Sequence, residues 1–159
     1  MGILISLAGA AQPSVKLYGY SQVSTPGMVP QRDIPNENGG TVKTRIYDSI
    51  ISFFIYTRAS VAIRPSQVYL NGKWQSATSL AISSTPVKSE QPVKKTLVPS
   101  TKLKVLQLLP GDLVSNMTIS SSLKKMMAVN ELIVAYTWKG KKYYVPLKKI
   151  TVLQPIHAY

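Results

Sequence analysis

The chain has 159 residues, of which 45% are hydrophobic and 16% are charged, and it contains no cysteine. This length suits one domain with a single core, and the composition is typical of a globular protein. Nineteen basic residues against six acidic ones give a formal net charge of +13. Disulfides and thiolate metal sites are excluded, and no apolar run reaches the roughly 18 residues of a membrane-spanning helix.

Residues 1–12, MGILISLAGAAQ, join a short apolar run to small residues and are similar to the end of a secretory signal. No positive residues precede the run, so the alternative is an N-terminal strand. We predict that residues 13–159 form a single β domain. The signal-like interpretation predicts an exported protein that lies in the periplasm, beside the outer membrane or at the cell surface; a cytoplasmic location is the alternative.

The first half of the domain has the alternation and residue types of strands. Val15–Val23 alternates between two faces, and residues 24–40 are rich in Pro, Gly and Asn, which predicts a long loop. Thr41–Arg58 is dominated by β-branched and aromatic residues, with apolar side chains on both faces. It predicts one long central strand or two strands, with a short helix at Tyr47–Phe53 as the alternative.

Asn71-Gly72 is the clearest turn signal, because a two-residue hairpin turn needs positive φ at both positions. It predicts a hairpin in which Tyr69 faces Trp74. Residues 83–101 contain three prolines and predict a second long loop. Lys102–Leu109 predicts a strand, which we expect to end at a tight turn over residues 110–112.

The C-terminal part predicts a short helix followed by a hairpin. Residues 122–130 have apolar side chains at helical spacing after a serine. Residues 132–147 predict two strands joined by Lys139-Gly140, which pairs Trp138 with Lys141 and Val134 with Val145. One face is continuously apolar, and the other is mixed, as expected of a face that meets water or a partner.

Many short strands with frequent turns predict an all-β protein. The favoured arrangement is an antiparallel β-sandwich, immunoglobulin-like or related, with at most one short helix near residues 122–130. A small β-barrel is the alternative.

No set of residues in the sequence predicts catalysis. The single histidine, His157, lies near the C-terminus, and the six acidic residues are scattered. Common catalytic and phosphate-binding motifs are absent, and no metal-ligand spacing occurs. We therefore expect a protein that is not an enzyme and that needs no metal and no cofactor.

Lysines and aromatic residues near the last hairpin form the candidate partner-contact surface: Trp138, Lys139, Lys141, Lys142, Tyr144, Lys148 and Lys149. Such a basic aromatic surface suits single-stranded nucleic acid, an acidic glycan or another acidic surface. The simpler interpretation, which we favour, is that the lysines protect sheet edges while the aromatic rings pack across strands. Nucleic acid is a less favoured partner, because fifteen of the nineteen basic residues are Lys rather than Arg.

The sequence therefore predicts a non-enzymatic, exported β protein that serves as an accessory or structural subunit of a cell-envelope or surface assembly, with other proteins as its partners. The alternative is a basic β-barrel that binds nucleic acid or another polyanion.

Overall fold

The computed structural model describes residues 12–25, 31–45, 49–90 and 93–157. The signal-like residues 1–11 and the first two residues of the alternative helix, 47 and 48, lie outside this part of the chain. Within it, the elements are β1 (Val15–Thr25), β2 (Gln31–Pro35), β3 (Thr41–Arg45), β4 (Ile50–Ala59), β5 (Arg64–Leu70), β6 (Lys73–Ile82), β7 (Val87–Glu90), β8 (Val93–Thr96), β9 (Lys104–Leu113), α1 (Ser121–Val129), β10 (Leu132–Trp138), β11 (Lys141–Leu147), β12 (Thr151–Val152) and β13 (Ile156–His157).

One large sheet has the strand order β11-β10-β5-β6-β9-β4-β1-β12, and β13 also pairs with β1. Both β12 and β13 run parallel to β1, and the other pairs are antiparallel, so the sheet is mixed. It curls into a half-barrel. The predicted all-β class and the predicted short helix are confirmed. A sandwich is not confirmed, because the main strands belong to one curled sheet rather than to two stacked sheets.

The curl brings the two ends of the sheet close together. Residues 148–150 alone join β11 to β12, although these strands lie at opposite ends of the strand order. Leu147 and Thr151 can therefore be at most about 14 Å apart. Gly19 of β1 lies directly against the far end of the sheet, since a Cβ atom placed on it would be 2.7 Å from Leu132 Cδ2 and 2.9 Å from Leu147 Cδ2.

The inner face of the half-barrel holds the main core. The buried residues of this cluster are Leu17, Ile55, Val68, Leu70, Leu108, Leu132 and Val134. They come from strands throughout the sheet, so the curl lets a single sheet bury its inner face against itself. The apolar face of the last hairpin packs in this cluster with Phe53 and Ile55 of β4.

Two further clusters cover the outer face. The helix α1 lies over one half, where its Leu123 packs with Trp74 and Ile133. Ser120 caps this helix by accepting a hydrogen bond from the Leu123 N–H at 3.2 Å. Over the other half, Leu97 and Val98 are buried beside β4 and β9. These two residues fall in a stretch that the sequence predicted to be a loop.

Both predicted hairpins have the predicted registers. Tyr69 pairs with Trp74, and Trp138 pairs with Lys141. Positive φ values at Asn71 (54°) and Lys139 (50°), each followed by a glycine of positive φ, match a type I′ turn. The mixed face of the last hairpin differs from expectation, because α1 covers it and residues 133 and 135 are fully buried.

Two stretches predicted as loops contain paired strands. Residues 24–40 include β2, which pairs with β3, and residues 83–101 include the β7–β8 hairpin. Thr41–Arg58 forms two strands, β3 and β4, and β4 is central as predicted. The predicted turn at residues 110–112 is wrong, because β9 continues to Leu113 and absorbs the extra residue as a bulge opposite Ser76.

Candidate functional site

The structure does not gather the predicted contact residues into one surface. Trp138, Lys139 and Lys141 lie at the turn of the last hairpin, whereas Lys148 and Lys149 follow its other end. A strand rise of about 3.3 Å per residue puts Lys148 roughly 23 Å from Lys141. The remaining two residues, Lys142 and Tyr144, belong to the opposite face of the hairpin from Trp138.

The hairpin turn carries aromatic rings packed with a cation. Lys139 Nζ lies 4.7 Å from the centre of the Trp138 ring, close enough for a cation–π interaction. The Tyr143 ring lies 6.3 Å from Trp138 and stacks on Tyr136 at 5.7 Å. Desolvation by burial and the neighbouring Tyr143 raise the pKa of Tyr136.

Three of the other predicted residues, Lys142, Tyr144 and Lys148, have local structural partners. Lys142 Nζ donates to Gln67 Oε1 at 2.8 Å and lies 5.6 Å from the Tyr144 ring, which contacts the Trp74 ring at 6.0 Å. At the far end of the hairpin, the carbonyl oxygen of Lys148 accepts a hydrogen bond from the Glu131 N–H at 3.2 Å. Tyr144 therefore packs beside α1. The main chain of Lys148 is hydrogen-bonded where the chain leaves β11.

A larger basic surface becomes visible only in the folded chain. Strands β1, β5, β9 and β11 begin at one end of the half-barrel, and β4 and β10 finish at this same end. We call the cationic side chains at this end the basic rim: Lys16, Arg58, Arg64, Lys104, Lys139, Lys141 and Lys142. Among the acidic side chains that the structure describes, Asp112 and Glu131 lie at the opposite end and Glu37 lies in the β2–β3 hairpin.

Tyrosines underlie the basic rim on the outer face of β1 and β4. Lys16 Nζ and Arg58 Cζ lie 5.5 and 5.8 Å from the centre of the Tyr18 ring. The next tyrosine along the strand, Tyr20, has Lys95 Nζ at 5.9 Å from its ring and donates to the Leu97 carbonyl oxygen at 2.5 Å. Burial, and secondarily the neighbouring Tyr18, raise the pKa of Tyr20.

A cavity of about 220 Å³ opens at the same end of the half-barrel, and we call it the rim cavity. It is lined by Thr57, Ala59, Val61, Ala62, Ile63, Lys104 and Leu106. Thr57 is only 1% exposed, and its Oγ1 has no hydrogen-bond partner among the described residues. An unpaired buried hydroxyl is costly, by about 1–3 kcal/mol, unless a solvent or ligand group pairs with it.

The pairing between β4 and β9 stops before the strands reach the opposite end of the sheet. The ladder between β4 and β9 runs from Ala59–Lys104 to Ile55–Leu108 and stops there. Beyond it lie residues 50–53 of β4 and 109–113 of β9, which share no ladder within the described chain; we call these two segments the β4–β9 seam. Pro110 lacks an N–H to donate, and the adjoining bulge bends β9, so both features favour the separation.

Large apolar side chains are exposed along the β4–β9 seam. The exposed fractions are 61% for Ile50, 57% for Ile51, 49% for Leu109 and 62% for Leu113. Sheet edges offer main-chain hydrogen-bonding groups, and exposed apolar residues beside them provide a favourable contact for another chain. This surface could not be predicted from the sequence, because strand alternation does not reveal where two paired strands separate.

No group of three or more His, Cys, Asp or Glu able to hold a metal ion occurs within the described residues. In the same part of the chain, no helix has both the length and the apolar character needed to cross a membrane. No known protein family matches the sequence, and no curated protein and no solved structure is significantly similar to it.

Proposed function

We propose that this protein is a non-enzymatic, exported subunit of a larger protein assembly in the cell envelope or at the cell surface. The observation that carries the proposal is the β4–β9 seam, where strand edges and exposed apolar side chains occur together. The signal-like residues 1–12 support export.

The partner we propose for the seam is an extended strand of a different protein. Added strands bind to a sheet edge through main-chain hydrogen bonds, and their alternate side chains contact the apolar residues of that edge. A second copy of this chain is less favourable, because two molecules that each carry a net charge of +13 repel one another.

Site-specific crosslinking in cells that make the protein tests this role. The chain has no cysteine, so Leu109→Cys or Leu113→Cys introduces a single attachment point for a photoreactive crosslinker within the seam. Ser122→Cys, on an exposed position of α1, is the matched control. We expect one discrete adduct from the seam positions in the envelope or surface fraction, and none from the control.

A competition variant makes the test specific. Ile51→Lys places a charge in the seam at an exposed position, so the fold should be retained while the Leu113→Cys adduct is lost. The proposal would be refuted by a folded protein that gives no adduct, or by the same adduct from Ser122→Cys. Recovery of the protein only in the cytoplasmic fraction would refute export separately.

A further inference from the structure

We propose that the basic rim binds an acidic polysaccharide and that one sugar ring of this polymer occupies the rim cavity. This activity goes beyond the assembly role and does not depend on the β4–β9 seam, which lies toward the other end of the half-barrel.

The arrangement of charges favours an anionic neighbour. Lys16 and Arg58 are directly paired across β1 and β4, and like charges opposite each other destabilise a sheet. Further cations approach the same end from β5, β9 and β11, and no acidic side chain described by the structure lies among them. Anions in solution can supply a compensating charge, and a polymer with repeated anionic groups can neutralise several of these cations together.

The rim cavity provides a site for one ring of such a polymer. Its volume, about 220 Å³, exceeds the roughly 150 Å³ of a cavity that admits benzene, so a six-membered ring fits. Val61 and Leu106 supply apolar walls for the C–H face of a sugar. Thr57 lines the cavity, and its unpaired hydroxyl oxygen, which exposes less than 1 Å² in this conformation, can bond to a sugar hydroxyl after rotation about the Cα–Cβ bond. Lys104 can pair with a carboxylate or sulfate on the same ring.

The same features favour a polysaccharide over single-stranded nucleic acid. Nucleic-acid bases bind by stacking on aromatic faces. At this end of the half-barrel, the Tyr18 ring has two cations beside it, the Trp138 ring has Lys139, and Tyr143 stacks on Tyr136. The walls of the rim cavity are aliphatic rather than aromatic. The site thus offers charges, apolar walls and one hydroxyl, which suit a charged sugar.

Isothermal titration calorimetry of the whole chain with heparin, across a salt series, provides the test. Neutral dextran and a thymidine oligonucleotide of equal charge to the heparin serve as comparison ligands. We expect heparin to bind, the affinity to fall as a power of the salt concentration, and dextran to give no signal. A thymidine oligonucleotide that binds as tightly as heparin would overturn the assignment to a polysaccharide.

Two double variants distinguish binding at the basic rim from attraction by the net charge of the protein. Lys16→Ala with Arg58→Ala should weaken heparin binding at least fivefold, because each removes a cation of the basic rim. Lys148→Ala with Lys149→Ala removes the same charge at the other end and should change binding less than twofold. Equal losses from the two pairs would mean that only net charge attracts heparin, which overturns the site.

Thr57→Val tests the rim cavity itself. It removes the unpaired hydroxyl, leaves the net charge unchanged and should not lower thermal stability. We expect heparin to bind several-fold more weakly with an unchanged salt dependence. Unaltered heparin affinity in a stably folded Thr57→Val protein would overturn the placement of a sugar ring in the rim cavity.

Discussion

Replacing Gly19 by alanine tests the closeness of the two ends of the curled sheet. The new Cβ atom would lie 2.7 Å from Leu132 Cδ2 and 2.9 Å from Leu147 Cδ2, whereas carbon atoms pack best about 3.5–4.0 Å apart. Leu132 has no exposed surface, so its side chain has little room to move. Overfilling a core in this way costs about 1–3 kcal/mol.

A smaller effect opposes this cost. Alanine restricts the unfolded chain more than glycine does, which stabilises the folded state by about 0.4–1 kcal/mol where the backbone is compatible. Gly19 has no positive φ that would oppose alanine. We therefore expect Gly19→Ala to lower the free energy of unfolding by about 1.3 kcal/mol, the difference between the midpoints of the opposing contributions.

Urea unfolding followed by tryptophan fluorescence gives the measurement, and Leu147→Ala provides the control. Leu147→Ala removes one of the two methyl groups that the new Cβ would meet, so Gly19→Ala should cost less in that background, by about 0.5 kcal/mol or more. If Gly19→Ala alone stabilises the protein, β1 does not pack against the last hairpin, and the described curl is wrong.

Three further predictions concern local features. Ser120→Ala should lower the free energy of unfolding by about 1 kcal/mol in urea unfolding, and Ser122→Ala by much less, because only Ser120 accepts the capping bond from Leu123. Gly140→Ala should lower the midpoint of thermal unfolding, since a φ of 75° strains alanine by about 1–2 kcal/mol; an unchanged midpoint would contradict the turn. Burial raises the pKa of three tyrosines above the ordinary 10.0: Tyr20, Tyr56 and Tyr136. Because the folded state holds these protons more tightly, their contribution to stability is complete below pH 10 and is lost as pH rises through the folded pKa values. The midpoint of thermal unfolding should therefore fall above pH 10. In an absorbance titration of the folded protein, some tyrosines should ionise at a higher pH than a free tyrosine does. Ionisation of all tyrosines near pH 10 would contradict this prediction.

Local chemistry explains why the hairpins were predictable. Asn71-Gly72 and Lys139-Gly140 permit the positive φ values that a two-residue turn requires, so each turn fixes the register of its strands. The helix was also predictable, from apolar spacing and a nearby serine. The turn predicted at residues 110–112 was wrong because of Pro110. Proline is common in turns, but it also occurs beside a bulge within a strand.

The candidate sites were less predictable than the elements. The sequence placed seven contact residues on one surface, but the hairpin separates Lys148 from Lys141 by most of a strand length. Conversely, Lys16 and Arg58 are 42 residues apart and become direct neighbours only through strand pairing. The Thr57 hydroxyl is ordinary in the sequence, and only burial without a partner makes it notable.

The sequence by itself determined the all-β class, the two turns with their registers, and the two faces of the central strand β4. Each of these follows from a backbone requirement or an alternation that acts over a few residues. The tertiary structure decided the curl, the cover of the last hairpin by α1, the β4–β9 seam and the basic rim. These depend on contacts between residues far apart in the chain, and alternation shows that a strand has two faces without showing what covers either one.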